Sequence, residues 1–590
     1  MRLRSFVPFA LLLALPNAMQ AQSAIDSAHV RATTPALDTI ATALARYCAT
    51  NRPRGYVCDA RASLATLQRA ESLLVTQVGS VSDSEPTSEP PDTTQDSTVV
   101  VTPPPAPDTS SEIAELPRVV PDFPYPTGGS AVKVPAGTNL QAVLNQAKPG
   151  DVILLAPCAT FTGNFVLPVI AGASDSGWVT VRTDASLNAP GIRETPSDAA
   201  SRCLAKLVTP NSSPAISTVA GAHHWRFTGV EVTCVCTASE TYMLVAFGES
   251  GSAQNSLSLV PHHLVLDRVY VHGTPTSVLR RCVALNSASS AVVDSWLADC
   301  HSNNSDSQAI WGSNGPGPYL IRNNHLEAGH EVIMFGGADP VIPNLVPSDI
   351  TIVGNHITRP LAWKGVWREK NGVESKNSRR VLVEGNIIEN VWADAQIGTA
   401  FELKSENQNG AATWTNTADW TIRYNLIRCV ANGINMSGHG SNSYASVTSA
   451  RFAIHDNVFR DLNVAPCTGA GMQIQLLTGL TDAVIARNTF VVGGSSTKSV
   501  SFDGPPTVRL TLDGNVFSRS SYGVIGSGTG EGIATLSKYA PDGTFTGNAL
   551  TGAVCSRYPV TTLCPSTFPT TGGADAAKVS AMTTNALVNP

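Results

Sequence analysis

Charge is scarce in this sequence: Asp, Glu, Lys and Arg make up 14% of its 590 residues, and their balance is −6. No basic field of the kind that draws nucleic acid follows from that balance, so a polyanionic partner needs a local basic patch. Also lacking is a helical period of useful length between the candidate strands, which argues against α/β crossovers. Beyond the first 21 residues no apolar run approaches the length that spans a membrane. The twelve cysteines include no second pair near Cys234 and Cys236 at the spacing of a zinc finger. No two aspartates are adjacent anywhere.

What the chain has in quantity is repetition, with 47 Gly and 39 Pro to turn it. Asn324, Asn355, Asn386, Asn425, Asn457, Asn488, Asn515 and Asn548 follow one another at intervals of 31, 31, 39, 32, 31, 27 and 33 residues, a period that signals stacked units. Three residues before each Asn stands Ile321, Ile352, Val383, Ile422, Ile454, Ile485, Leu512 or Phe545. Two residues after each stands Leu326, Ile357, Ile388, Ile427, Phe459, Phe490, Phe517 or Leu550. Every one of these positions is apolar. β-branched and aromatic residues at alternate positions, with Gly, Asn and Asp between, predict short strands and tight turns. Strands laid parallel on their predecessors without helices between them define an all-β parallel β-helix, in which no unit buries its apolar face alone. The Asn suits a bend, because its short side chain tolerates left-handed backbone and can bond the amide stacked on it.

The xIxxNxI coil and the opening GDVILLAPCATFTGNFVLP (150–168) resemble secreted right-handed parallel β-helix proteins, the pectin-lyase-like superfamily, over roughly residues 128–570. The resemblance implies a right-handed solenoid. It says little about activity, since that fold hosts lyases, hydrolases, epimerases and non-catalytic adhesins.

Taken in order, residues 1–21 read as a secretory signal peptide: Arg2 and Arg4, the apolar run Phe6 to Leu15, then small residues. Residues 22–80 carry Leu37, Ile40, Leu44 and Tyr47 at helical spacing and predict a helical hairpin clipped by Cys48–Cys58. Residues 81–127, rich in Ser, Thr, Pro, Asp and Glu, predict a disordered spacer. The β-helix follows over 128–570, with an amphipathic helix at Asn139–Ala147 and a first strand at Val152–Leu155. The resemblance implies that this helix caps the first coil. Residues 571–590 form a tail that covers the far end or trails off. In an exported chain the cysteines predict disulfides. Near-neighbour spacing pairs Cys282–Cys300 and Cys555–Cys564, while Cys158–Cys203 and Cys429–Cys467 would join adjacent coils. Cys234 and Cys236 remain, on one face of a strand, where they do not easily bond each other.

The candidate chemistry lies between Gly372 and Gly440 and just after. Aligned by their apolar residues, Val373-Glu374-Ser375-Lys376, Phe401-Glu402-Leu403-Lys404, Ile434-Asn435-Met436-Ser437 and Met472-Gln473-Ile474-Gln475 stack in turn. Alternation puts Glu374 and Lys376 on one outward face. Stacking puts Glu402 on Glu374 and Lys404 on Lys376, about 4.8 Å apart. Asn435, Gln473 and Gln475 continue this face, and Met334 and Trp311 precede it. Like charges stacked directly repel, so two arrangements fit. One is a quartet of diagonal Glu–Lys pairs. The other places calcium between Glu374 and Glu402 and leaves the lysines, with Arg379 and Arg380, to an acidic sugar. In lyases of the resembled fold calcium or Arg neutralises the uronate carboxylate and Lys or Arg takes the C5 proton, which implies Lys376 and Lys404 as catalytic residues. Against this, a lysine beside glutamates is held protonated.

Three other features bear on function. Gly438-His439-Gly440 matches the tripeptide of polygalacturonase-type glycosidases, but their adjacent aspartates are missing, so His439 reads as a turn residue. His223-His224 and His262-His263 lie 39 residues apart and stack as pairs, either holding a metal or bonding to turns. Glu331, Asp339 and Asp349 fall in a long loop that, with Trp363, Trp367 and Trp414, either walls a groove or covers the core. The reading reached is a secreted protein, oligomeric state open, that binds an acidic polysaccharide along its side; whether it is an enzyme stays open, and β-elimination on a uronate polymer is the reaction it would then catalyse. A non-catalytic adhesive β-helix and a glycoside hydrolase are the alternatives.

Overall fold

Three sheets of 14, 13 and 12 strands, every pairing parallel, make up the chain from Ser130 onward in a computed structural model that describes residues 113–587 except 127, 238 and 520. The signal peptide, the hairpin with its Cys48–Cys58 pair and most of the spacer lie outside the described residues. One coil runs Ser378–Glu384 in the first sheet, Ile387–Val391 in the second and Thr399–Lys404 in the third, then returns to the first at Thr417–Arg423. The protein is a right-handed parallel β-helix. Its inward residues stack like on like, as Val383 on Ile422 and Ile388 on Ile427. Almost all of the sixteen apolar positions flanking the Asn repeat are fully buried, and Phe459, Phe490 and Phe517 form a stack of parallel rings.

The repeated Asn lie in one file at the turn between the first and second sheets. Asn386 Nδ2 donates to Asn425 Oδ1 at 3.0 Å, and the Asn386 backbone N–H donates to the same oxygen at 2.9 Å. The pattern runs unbroken from Asn324 to Asn548. Each amide thereby saturates a buried bend that no β-ladder reaches. The left-handed residue is the one before the ladder Asn: Asn323, Tyr424, Asp456 and Arg487 have φ of 55°, 56°, 57° and 50°, and Gly354, Gly385, Gly514 and Gly547 fill the other units. The bend is therefore borne by the neighbour, and the Asn is kept for its side chain.

The ends are closed by short helices. Leu140–Asn145, capped by the Asn139 side chain, buries Leu140 and Leu144. Gln141 exchanges hydrogen bonds of 2.7 and 2.8 Å with the Val166 backbone, so one amide side chain stands in for a missing strand at the edge of the third sheet. An additional strand, Ser130–Val134, precedes the expected first one and pairs with Asp151–Leu155. At the far end Ile533–Tyr539 packs on Tyr522–Gly526. The tail behaves differently from expectation: its helix, Ala576–Leu587, lies on the side of the second sheet, with Lys578 bonded to the Tyr424 hydroxyl and Ala586 O accepting from Arg193.

The end of the expected spacer is likewise folded. Residues 113–126 run across the outside of the first sheet, from Asp419, which accepts from Glu115 N, to Asp349, which accepts from Arg118 N. Farther on, Arg226 donates to the carbonyls of Phe123 and Pro124. The apolar residues of this segment, Phe123 above all, have a stripe to cover, which the composition of the spacer as a whole conceals. Five disulfides join described residues, four of them as predicted. The fifth is Cys234–Cys236. The strand ends at Cys234 and Cys236 has φ 58°, so strand alternation does not govern the pair.

Candidate functional site

The outer face of the third sheet carries the site. Its register sets Trp311 on Met334, Met334 on Glu374, Glu374 on Glu402, Glu402 on Asn435 and Asn435 on Gln475. Beneath this column the inward residues Ile310, Ile333, Val373, Phe401, Ile434 and Ile474 form the core, which fixes the parity of the outward ones. The alignment of the last coil shifts by two residues: Gln475 continues the column, while Gln473 is buried beside it and donates to Ser518 O. Trp311 is in the column but offers no open stacking surface. It is 2% exposed, its indole donates to Gly336 O, and the Arg281 guanidinium lies 3.7 Å over its ring.

Lys376 and Lys404 meet the two glutamates and a third acid that the alignment does not reveal, Glu406. Lys404 Nζ lies 3.4 Å from Glu402 Oε1, 3.9 Å from Glu374 Oε1 and 3.5 Å from Glu406 Oε2. Lys376 Nζ lies 3.9 Å from Glu374, 3.5 Å from Glu406 and 3.0 Å from Gln408 Oε1. Glu374 is nearly inaccessible and accepts from Asn371 Nδ2 at 2.9 Å. The quartet of diagonal pairs has thus become a buried quintet. The Lys404 ammonium stands between the carboxylates of Glu374 and Glu402, in the place a calcium ion would take, so these two acids do not fit a calcium site in this arrangement.

The band extends toward the first coils through residues that alternation misplaces. Glu331 belongs to the strand Glu331–Phe335, not to a loop, and accepts from Gln308 Nε2 at 2.7 Å. Lys370 Nζ lies 2.6 Å from Asp306 and 3.5 Å from Glu331. Arg359, fully buried, donates to Glu369 Oε1 at 2.7 Å and to Asn371 O at 2.9 Å, which clamps the start of the strand that presents Glu374. Glu331 and Met334, like Asn371 and Glu374, are three residues apart yet serve the same face, and period-two reasoning separates them.

Electrostatics divides the lysines from the acids. Burial pulls Lys404 down, but Glu374, Glu402 and Glu406 outweigh it and hold its ammonium above the ordinary value. The same balance, with Glu331 and Asp306, raises Lys370. Burial pushes Glu402 up to about 7, with Lys404 opposing and Glu374 reinforcing. Glu331 is pushed up to about 7 by burial and then by Glu374 and Asp306. At neutral pH Glu402 and Glu331 are therefore the groups poised to exchange protons, whereas Lys404 and Lys370 are held as cations.

Several expected residues lie elsewhere. The chain turns after Ser375, so Arg379 and Arg380 belong to the first sheet, where Arg380 pairs with Asp349 at 2.7 Å and Arg379 donates to Ser348 Oγ. They take no part in the band. His439 is held by Ser446 and Thr448, as a turn residue is. Trp363 and Trp367 pack on His301, and Trp414 donates to Leu345 O. Asp339 accepts from the backbones of Gln408, Asn409 and Ala411, fixing the loop that brings Glu406 and Gln408 over the lysines.

Fold and site together define a right-handed parallel β-helix protein with a buried, charged band along one outer face. No protein-family model and no curated protein matches the sequence. Among solved structures the chain is similar to the Dettilon tailspike protein, at 12% identity and a TM-score of 0.37, covering 73% of this chain and 68% of that one. It is similar to an alginate lyase from Paenibacillus sp. str. FPU-7, at 11% identity and a TM-score of 0.26, over 74% and 99% of the two chains. It is also similar to PfbA, a surface adhesin of Streptococcus pneumoniae, at 12% and 0.37, over 64% and 84%. At such identities and scores no activity transfers from one chain to another.

Proposed function

We propose that the outer face of the third sheet binds an acidic polysaccharide outside the cell. The observation that carries this reading is a pair of buried amide oxygens in the column with no donor, Asn435 Oδ1 and Gln475 Oε1. A buried acceptor left alone costs about 1–3 kcal/mol, and a sugar hydroxyl is a donor that either amide could take by turning its side chain outward. The ammonium groups beside them suit a uronate carboxylate. Five disulfides support oxidising surroundings. Were the polymer cleaved by β-elimination, Lys376 and Lys404 would neutralise the carboxylate and Glu402, poised near 7, would take the C5 proton; the C4–C5 double bond would form as the C4–O bond breaks, the leaving oxygen taking its proton from water. No step through calcium is derived.

The adhesive alternative has its own support, since every lysine of the band is already engaged by acids and Glu374 is shut off from solvent. Affinity electrophoresis in gels of alginate, pectate or chondroitin tests binding, and absorbance of the unsaturated product tests cleavage. Retardation of the wild type, weakened about tenfold in Lys404→Ala by loss of a charged contact, is expected. No retardation in any gel overturns the proposal. Retardation without product leaves adhesion, whereas product abolished by Glu402→Gln with retardation kept assigns the base.

A further inference from the structure

We propose that His224, His263 and Asp175 bind a divalent transition-metal ion, zinc in the first instance, on the outside of the first sheet. This site is separate from the charged band and does not depend on what that band binds. Its origin is in the register. The strand His262–Asp267 lies on His223–Thr228 with His262 directly over His223. Their rings stack at 4.9 Å and 2°, and those of His224 and His263 at 4.6 Å and 10°. His224 and His263 adopt left-handed backbone, φ 61° and 55°. Adjacent imidazoles therefore meet instead of alternating across the sheet, with Nδ1 atoms 2.7 Å apart in each pair.

That meeting sends the other ends of two rings toward one carboxylate. Asp175 Oδ1 lies 3.3 Å from His224 Nε2 and 3.8 Å from His263 Nε2. Ligand atoms bound tetrahedrally to zinc at about 2.0–2.1 Å stand roughly 3.3–3.5 Å from one another, so closure needs Asp175 to approach His263 slightly and the two stacked rings, 4.6 Å apart, to tilt their Nε2 edges together. One ring nitrogen from each of His224, His262 and His263 also falls within 4.8 Å of the others, so the histidines are clustered closely enough for a shared ion. Two imidazoles and a carboxylate select zinc, cobalt, nickel or copper over calcium. His223 and His262 supply the support such a site requires: when His224 and His263 donate their Nδ1 protons to them, both Nε2 lone pairs face the ion. Trp178 and Phe123 wall the inner side, their rings 5.1 Å from His224 and 5.7 Å from His263, while Asp175, 87% exposed, leaves the outer side open.

The test is metal content after dialysis of the full chain, purified without a polyhistidine tag, against zinc, followed by visible absorption with cobalt in its place. One zinc per wild-type chain is expected, and none in His224→Gln/His263→Gln. Asp175→Asn, on an exposed turn that does not threaten folding, should bind at least about tenfold more weakly and change the cobalt spectrum. His223→Phe, which removes only a supporting hydrogen bond, should weaken binding by about 10–100-fold. Glu374→Gln/Glu402→Gln should bind as the wild type does, separating this site from the charged band. A wild type without zinc overturns the proposal. So does a folded double-histidine variant, checked by circular dichroism and melting, that keeps its zinc. An unchanged cobalt spectrum in Asp175→Asn overturns the carboxylate as ligand.

Discussion

At Glu402 two demands conflict: the core beneath it excludes water, and the lysine beside it attracts charge. Burial wins, placing the carboxyl near 7 against an ordinary 4.5. An acid with a raised folded value keeps its proton in the fold where the unfolded chain has released it. Its contribution to stability is therefore intact below 4.5 and is lost as pH rises to 7. Glu402→Gln has the shape of the protonated acid and nothing to lose. The melting temperature of this variant, relative to wild type, should climb between pH 4.5 and 7 and level off above, as calorimetry across that range would show. A difference independent of pH would mean that Glu402 is ionised throughout. Its neighbour Glu406 depends on a glycine for its place: a Cβ on Gly440 would meet Glu406 Cγ at 2.4 Å. The Gly-His-Gly tripeptide draws attention to its histidine, yet the residue that shapes the charged band is the glycine after it.

Among the elements, the Asn file shows what repetition reveals and what it hides. Eight units repeat the same polar residue between the same apolar ones, and only a stacked bend uses a residue so. The coil was legible for that reason. The band was legible only in part, because Glu374, Glu402 and the two lysines sit on regular alternation whereas Glu331, Asn371 and Glu406 reach the face through kinks and a loop. No pattern of period two or of coil length points to those three. The ladder itself makes a measurable claim. Asn425 Oδ1 accepts from Asn386 N, and its Nδ2 donates to Val383 O, Arg423 O and Asn457 Oδ1. Asn425→Ala strands the Asn386 N–H and the Val383 carbonyl away from water, at about 1–3 kcal/mol each. A clear fall in melting temperature is expected, with faster hydrogen exchange at Asn386 than in coils several rungs away. Exchange that rises equally everywhere would show that the file does not act locally.

For the whole molecule, a stack of coils held only by neighbour-to-neighbour contacts would fray from either end. Elements that cross many coils at once oppose this, and residues 113–126 form one of them. Their backbone bonds reach Asp419, Asp349 and Arg226, on strands of the first sheet that lie two and then four coils apart along the axis. Beneath them the outward residues Val265, Ala291 and Leu320 stack in register, an apolar stripe where a solvated face would be polar, and Phe123 packs against it and against Trp178 at 5.2 Å. A chain shortened to start at Gly128 therefore loses the burial of Phe123, about 2 kcal/mol, and two acceptors for the nearly inaccessible Arg226 guanidinium, about 1–3 kcal/mol more. Compared with a chain that starts at Ile113, it should melt about 3–5 °C lower and bind more of a dye that reports exposed apolar surface. Equal melting and equal dye binding would return this segment to the spacer that its composition suggests, and would leave the stripe on the first sheet waiting for another cover.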